Sequence, residues 1–272
     1  MPAAESQNQL LRRAQEGDEQ ALEALLRSVQ PQLYRFSMKM CRQTQDAEDV
    51  LQDSMLAMAR SFRDFRGNSS FSTWLFTIAR SFCIKKRRKA KFAPKHEESL
   101  EGLKAFESAG IASSDLNPEQ QAASNEVWQK VQQGIKQIEP DYREVLILRD
   151  IEGLRAKEVA EIVGISVSAV KSRLHRARSE LREVLAPKAY LPRQGCPNIR
   201  QIFSEHLEGD LAADICTTLQ VHVDGCPVCA AECDGLKMVM NVCNAAPCEL
   251  PIETQERLEK SLRAILEGAQ PS

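Results

Sequence analysis

No apolar run in this 272-residue chain reaches the ~18 residues that a membrane-spanning helix needs. The first twenty residues, MPAAESQNQLLRRAQEGDEQ, are polar and acidic. They lack the apolar stretch of a secretory signal peptide, and a cytoplasmic protein is expected. Cysteine is scarce over most of the chain. Only Cys41 and Cys83 precede Gln194, and the other seven follow it. In a reducing cytoplasm such a cluster reads as metal or redox chemistry, not as a disulfide framework. Net charge is also nearly missing, at -2, but the balance is uneven. From Gln194 onward five Lys/Arg face twelve Asp/Glu, so that part is near -7 and the remainder near +5. A basic body points to nucleic acid and an acidic tail to a protein contact. Acid is absent altogether between Arg80 and Lys95, where eight Lys/Arg stand. A run like that tracks a phosphate backbone.

The stretch from Leu154 to Arg178 carries the clearest pattern. Leu154, Val159, Ile162 and Val163 recur at helical spacing, Gly164 supplies a left-handed helix end, and Ser166 is a good cap for the next helix. That helix puts Val167, Val170 and Leu174 on one face. Ser168, Lys171, Ser172, Arg173, His175 and Arg176 lie around the rest of it as the DNA-contacting set. Two short helices joined by a Gly turn, the second with a basic outer face, describe a helix-turn-helix.

Ahead of it the periodicity predicts more helices. Asp18 caps one with Leu22, Leu25, Leu26 and Val29 inward, and Pro31 opens the next with Leu33, Phe36 and Met40. Asp46-Ala47-Glu48-Asp49 loads the start of a third with acid, favourable at the positive end of its dipole. Phe71-Ser72-Thr73-Trp74 opens a fourth, which runs into Lys85-Lys86-Arg87-Arg88. Aromatic residues beside a basic track suit single-stranded binding, although Phe71, Phe76 and Phe82 read as core. Residues 96–118 are acidic and rich in linker residues, including a solvated His96. Val127, Trp128, Val131 and Ile135 mark a further helix, and Pro140 starts another that Gly153 ends.

Three stretches together resemble the extracytoplasmic-function group of bacterial sigma factors: DAEDVLQDSMLAMARSF (Asp46–Phe62), FSTWLFTIARSFCIKKRR (Phe71–Arg88) and REVLILRDIEGLRAKEVAEIVGISVSAVKSRLHRARSELR (Arg143–Arg182). The resemblance implies an all-α protein with sigma domain 2 over 10–95, an acidic linker over 96–118 and sigma domain 4 over 119–187. It implies that the acidic helix, through Asp46, Glu48, Asp49, Gln52 and Asp53, docks on the clamp of RNA polymerase. It further implies that Trp74, Arg80, Lys85, Lys86, Arg87 and Arg88 help melt and read the -10 promoter element, while the helix-turn-helix reads the -35 element. Ser81 and Lys85 depart from the Asn and Asp usual after the Ile-Ala-Arg segment, which bears on -10 sequence preference.

The tail, 194–272, is expected to be a small helical cysteine-rich domain. His222, Cys226 and Cys229 can converge on one ion where a helix end meets a tight Cys-Pro-Val-Cys turn, and tetrahedral zinc accepts such mixed ligands. Cys196 is the expected fourth ligand; zinc, or another thiophilic metal acting as a signal, is the expected cofactor. The stretch resembles the zinc-binding anti-sigma domain, with HLEGDL (His206–Leu211) as its middle segment and His206 structural. Cys216 reads as core. Cys233, Cys243 and Cys248 are open between spare thiols, a second metal site and a redox set. Leu258, Leu262 and Ile265 mark a short amphipathic helix over 253–267, expected either to dock on the body or polymerase or to complete the tail's own core. The expected partners are RNA polymerase core, promoter DNA and the chain's own C-terminal domain.

Two other classes compete. A stand-alone helix-turn-helix regulator with a structural zinc domain has no use for the Asp46–Phe62 helix. A zinc deaminase would share H-x-E at His206–Glu208 and C-x-x-C, but Gly225 replaces the Pro of that pattern and no strands are expected around either motif.

Overall fold

The computed structural model describes residues 6–41, 43–92, 133–185, 194–210, 213–244 and 250–268. In chain order its longer helices are α1 (Gln7–Gln15), α2 (Glu19–Met40), α3 (Thr44–Ser61), α4 (Phe71–Phe92), α5 (Pro140–Leu146), α6 (Ala156–Val163), α7 (Val167–Leu185), α8 (Ile199–Leu207), α9 (Ala213–Gly225), α10 (Pro227–Asn244) and α11 (Ile252–Gly268). There is no strand among the described residues, so the fold is all-α as expected. The expected linker at 96–118, Val127, Trp128, Val131 and Cys248 lie outside the described residues, as does the side chain of Cys216.

The chain forms two compact units. The first comprises residues 1–109 and 248–272, the second residues 110–247. The segment 194–272 is therefore divided: its last helix belongs with the first unit and the rest with the second.

In the first unit Asp18 caps α2 by accepting the Ala21 N–H at 3.0 Å. Pro31 does not open a new helix, as its position suggested, because α2 runs straight through it. An interior proline costs about 3 kcal/mol or more. Leu25, Leu26 and Val29 before it and Leu33, Tyr34 and Phe36 after it are all buried. At roughly 1.5–3 kcal/mol per buried side chain, keeping one continuous apolar face outweighs the lost bond. Ser70 caps α4, its hydroxyl accepting the Thr73 N–H at 3.1 Å. Val50, Leu51, Met55, Met58, Leu75 and Phe76 fill the core, and the Phe36 and Phe76 rings meet edge to face at 5.2 Å. Helix α11 packs on α3 and buries Leu258 and Leu262. Of the two fates open to the C-terminal helix, docking on the body is the one found.

In the second unit Gly164, at φ 77°, ends α6, and Ser166 accepts the Ala169 N–H at 3.2 Å to start α7. Val170, Leu174, Ala177 and Leu181 are buried along α7. The helix formed by residues 133–137 lies so close to α7 that a Cβ on Gly134 would come 2.8 Å from Leu181 Cδ1. Helices α8 and α10 also pack on α7. Ile199, Cys229 and Leu236 form the centre of the cysteine-rich module, with Phe203, Leu219 and Val223 around them. Cys-Pro-Val-Cys is not a separate tight turn. It is the first turn of α10, with Pro227 at the favoured first position and the Ala230 N–H bonded to Cys226 O at 2.9 Å.

Candidate functional site

Three sets of side chains carry chemistry. The first is on α3 and α4. Glu48 is already engaged by α11: Thr254 Oγ1 donates to it at 3.0 Å and Arg257 Nη2 at 2.6 Å. Lys86 of α4 donates to Asp49 at 2.5 Å and lies 3.5 Å from Asp46. The hydrogen bond from Lys86 holds the Asp49 carboxyl below its ordinary value, and the same bond raises Lys86. So Lys86, expected on the DNA side, is paired with two of the acids expected on the polymerase side. Gln52 is half-buried and Asp53 exposed. Trp74 is half-buried in an aromatic group, 5.2 Å from Phe65, 5.9 Å from Phe71 and 6.2 Å from Phe62 between ring centroids. Lys85, Arg87 and Arg88 are exposed, Arg80 is half-buried, and the Lys85 ammonium sits 4.8 Å above the Phe82 ring.

The second set is on α7, which has two edges. Ser168, Ser172 and Arg176 are exposed. Arg176 donates to Tyr142 Oη at 2.7 Å and lies over that ring, and Arg173 lies 3.5 Å from Asp141. The other edge, Lys171, His175, Arg178 and Arg182 at helical spacing, faces the cysteine-rich module. Lys171 donates to both oxygens of Asp210, at 2.5 and 2.6 Å. Burial lowers the His175 pKa, with the charge of Arg200 on α8 acting the same way. Arg178 is wholly enclosed, bonded to Asp150 at 2.7 and 2.8 Å, to Ser204 at 2.8 Å and to Glu208 at 2.9 Å. Arg149 also reaches Glu208, at 3.1 Å. Arg182 pairs with the buried Glu232 at 3.1 Å and lies across Gly235, where a Cβ would overlap its guanidinium.

The third set is Cys196, His222, Cys226 and Cys229, whose ligand atoms all lie within 4.8 Å of one another. The two sulfurs of Cys196 and Cys226 are 3.9 Å apart, and His222 Nε2 is 3.2 Å from Cys229 Sγ. Two thiolates bound at ~2.3 Å to a tetrahedral zinc would be separated by about 3.8 Å, so the donor set and spacing fit such an ion. Cys226 stands at the start of α10. A hydrogen bond from the Cys229 backbone N–H lowers its pKa, favouring the thiolate a metal requires. His206 is not in the cluster. Cys233 is half-buried against the module core and its thiol is pushed up by burial, while Cys243 is buried.

The acceptors Asp210 and Glu208, the buried role of Arg178 and Arg182, and the Arg257–Glu48 pair are not among the sequence-predicted features. One signal was available: Arg178 and Arg182 extend the Lys171–His175 edge by whole turns, which places four polar side chains in a row.

Comparison with known proteins covers the first two sets. The sigma-70 region 2 family matches residues 25–93, and the sigma-70 region 4 family residues 128–181. The RNA polymerase sigma-H factor of Pseudomonas aeruginosa is 30% identical over 191 residues, 69% of this chain and 97% of that protein. The ECF RNA polymerase sigma factor SigW of Bacillus subtilis is 30% identical over 178 residues, 64% of this chain and 94% of that protein. The ECF RNA polymerase sigma-E factor of Escherichia coli is 30% identical over 182 residues, 65% of this chain and 93% of that protein. With helix-turn-helix, acidic helix and basic helix in place, the chain belongs to the extracytoplasmic-function group of the sigma-70 family, the factors that direct RNA polymerase to promoters.

Proposed function

We propose that this sigma factor is held back by its own C-terminal segment, which covers the polymerase-docking helix α3 in one unit and packs on the recognition helix α7 in the other. The observation that carries this reading is Arg257 and Thr254 seated together on Glu48, beside the buried Leu258 and Leu262. Glu48 belongs to the acidic set through which polymerase would dock. A side chain cannot serve α11 and a polymerase surface at once, so the two contacts compete.

Metal binding is the second part of the proposal. Zinc held by Cys196, His222, Cys226 and Cys229 would tie the loop before α8, the end of α9 and the start of α10 into one body. It would supply folding energy to a small module whose core is slight. The same ligands suit other thiophilic ions, so metal identity or thiol state is the proposed signal. A signal moves the equilibrium only by favouring one docking over the other, typically by about 1–3 kcal/mol. The reading places the chain with polymerase and promoter DNA in the cytoplasm, and no helix among the described residues is long and apolar enough to cross a membrane.

The test is in vitro transcription by the full chain across zinc, copper and cadmium, with and without thiol reductant. Activity that changes with metal or redox state supports the sensor. Activity that ignores every condition, with the protein bound to polymerase throughout, contradicts it.

A further inference from the structure

We propose that Glu208 and Asp210 act as phosphate stand-ins: their carboxylates hold cations that a DNA backbone would otherwise hold, so module and duplex exclude one another along one edge of α7. The proposal rests on the reading of α7 as the duplex-binding helix.

Lys171 grips both oxygens of Asp210, as an ammonium grips a phosphate. Glu208 spans two guanidiniums, Arg149 from the segment after α5 and Arg178 from α7. The backbone is built for this presentation. Gly209, at φ 72°, takes the left-handed conformation that ends α8. Its N–H bonds to His206 O at 3.0 Å and the Asp210 N–H bonds to Glu205 O at 3.0 Å. That turn fixes Asp210 where its carboxylate meets Lys171.

The two acids differ in accessibility, and this sets the order of exchange. The Glu208 side chain is 3% exposed and the Asp210 side chain 40%. The Lys171–Asp210 pair is at the rim, while Glu208 is locked inside. Ser168, Ser172 and Arg176 stay exposed on the neighbouring edge. A duplex can therefore land on the open edge first and then compete for Lys171 through a phosphate. Because coupling is reciprocal, whatever loosens the module raises affinity for DNA, and bound DNA loosens the module equally.

The experiment measures binding of the full chain to a short random-sequence duplex across a salt series, since a phosphate contact is independent of sequence. Asp210→Asn should bind about two- to fivefold tighter, with a plot of log affinity against log salt steeper by about 0.9. Gly209→Ala, which misplaces Asp210 without removing its charge, should shift binding the same way. Lys171→Ala should weaken binding less in the natural chain than in the Asp210→Asn background, where it should reverse both gains. Arg176→Ala should weaken binding in either background. If Arg176→Ala has no effect, the reading of α7 itself fails. If Arg176→Ala weakens binding while Asp210→Asn leaves it unchanged and Lys171→Ala costs the same in both backgrounds, α7 binds DNA but the stand-in proposal is overturned.

Discussion

Arg178 and Asp150 meet through two parallel hydrogen bonds, Nε to Oδ2 at 2.8 Å and Nη2 to Oδ1 at 2.7 Å, with both side chains almost wholly out of water. The same guanidinium reaches Glu208 and Ser204 on the cysteine-rich module. One residue of the recognition helix thus joins the helix-turn-helix to the module. Arg178→Met would leave two buried carboxylates without it. Removing one partner of a buried pair costs about 3–5 kcal/mol, and chemical denaturation of the full chain should show a loss of that size in the second unit.

Gly235 makes a second joint. Any Cβ there overlaps the Arg182 guanidinium, so Gly235→Ala must push α10 from α7 or break the Arg182–Glu232 pair. The expected cost is about 1–3 kcal/mol, with faster amide exchange in α10 while the first unit is unchanged. Normal stability in this variant would mean that the Arg182 guanidinium swings aside without loss and that the Arg182–Glu232 pair contributes little.

The helix-turn-helix was legible because its signals are local: a left-handed Gly164, a capping Ser166 and apolar spacing act within a few residues. The grouping of His222, Cys226 and Cys229 was legible from ligand type and spacing, whereas Cys196, some 26 positions before His222, was legible from ligand type alone. What each helix packs against was not. Leu258 and Leu262 announce an apolar stripe, but periodicity does not name a partner, and the partner is α3, some 200 positions earlier. Nothing local marks Arg178 and Arg182 for burial, because arginine is seldom buried, and the acids that permit it come from distant segments. Pro31 misled for the opposite reason, since a local breaking rule gave way to burial on both sides of it.

His175 gives unit two a pH dependence. Burial and the charge of Arg200 depress its folded pKa below the ordinary 6.5, so the unfolded chain binds the proton more readily. Stability is then fully present above pH 6.5 and declines as pH falls from there toward the lower folded value. Melting of the full chain between pH 8 and pH 5 should show this loss, and His175→Gln should flatten it. An equal slope in the variant would assign the effect to other groups.

Replacing Cys226 and Cys229 together with Ser should abolish stoichiometric zinc in the purified protein, measured by elemental analysis, and should loosen the module. One tight zinc retained in that variant would move the site to the later cysteines.

In the proposed function α11 holds α3 away from polymerase. If the closed form predominates, apparent affinity for polymerase falls by the fraction left open. Arg257→Glu with Leu258→Ala and Leu262→Ala removes the ion pair and two buried side chains, which are worth roughly 1.5–3 kcal/mol each. The most direct measurement is the affinity of the full chain for core polymerase, compared between the natural sequence and this triple variant, with Glu48→Lys as the partner experiment. The triple variant should bind at least about tenfold tighter and Glu48→Lys more weakly. Equal or weaker binding by the triple variant, with Glu48→Lys still impaired, would contradict the proposed function.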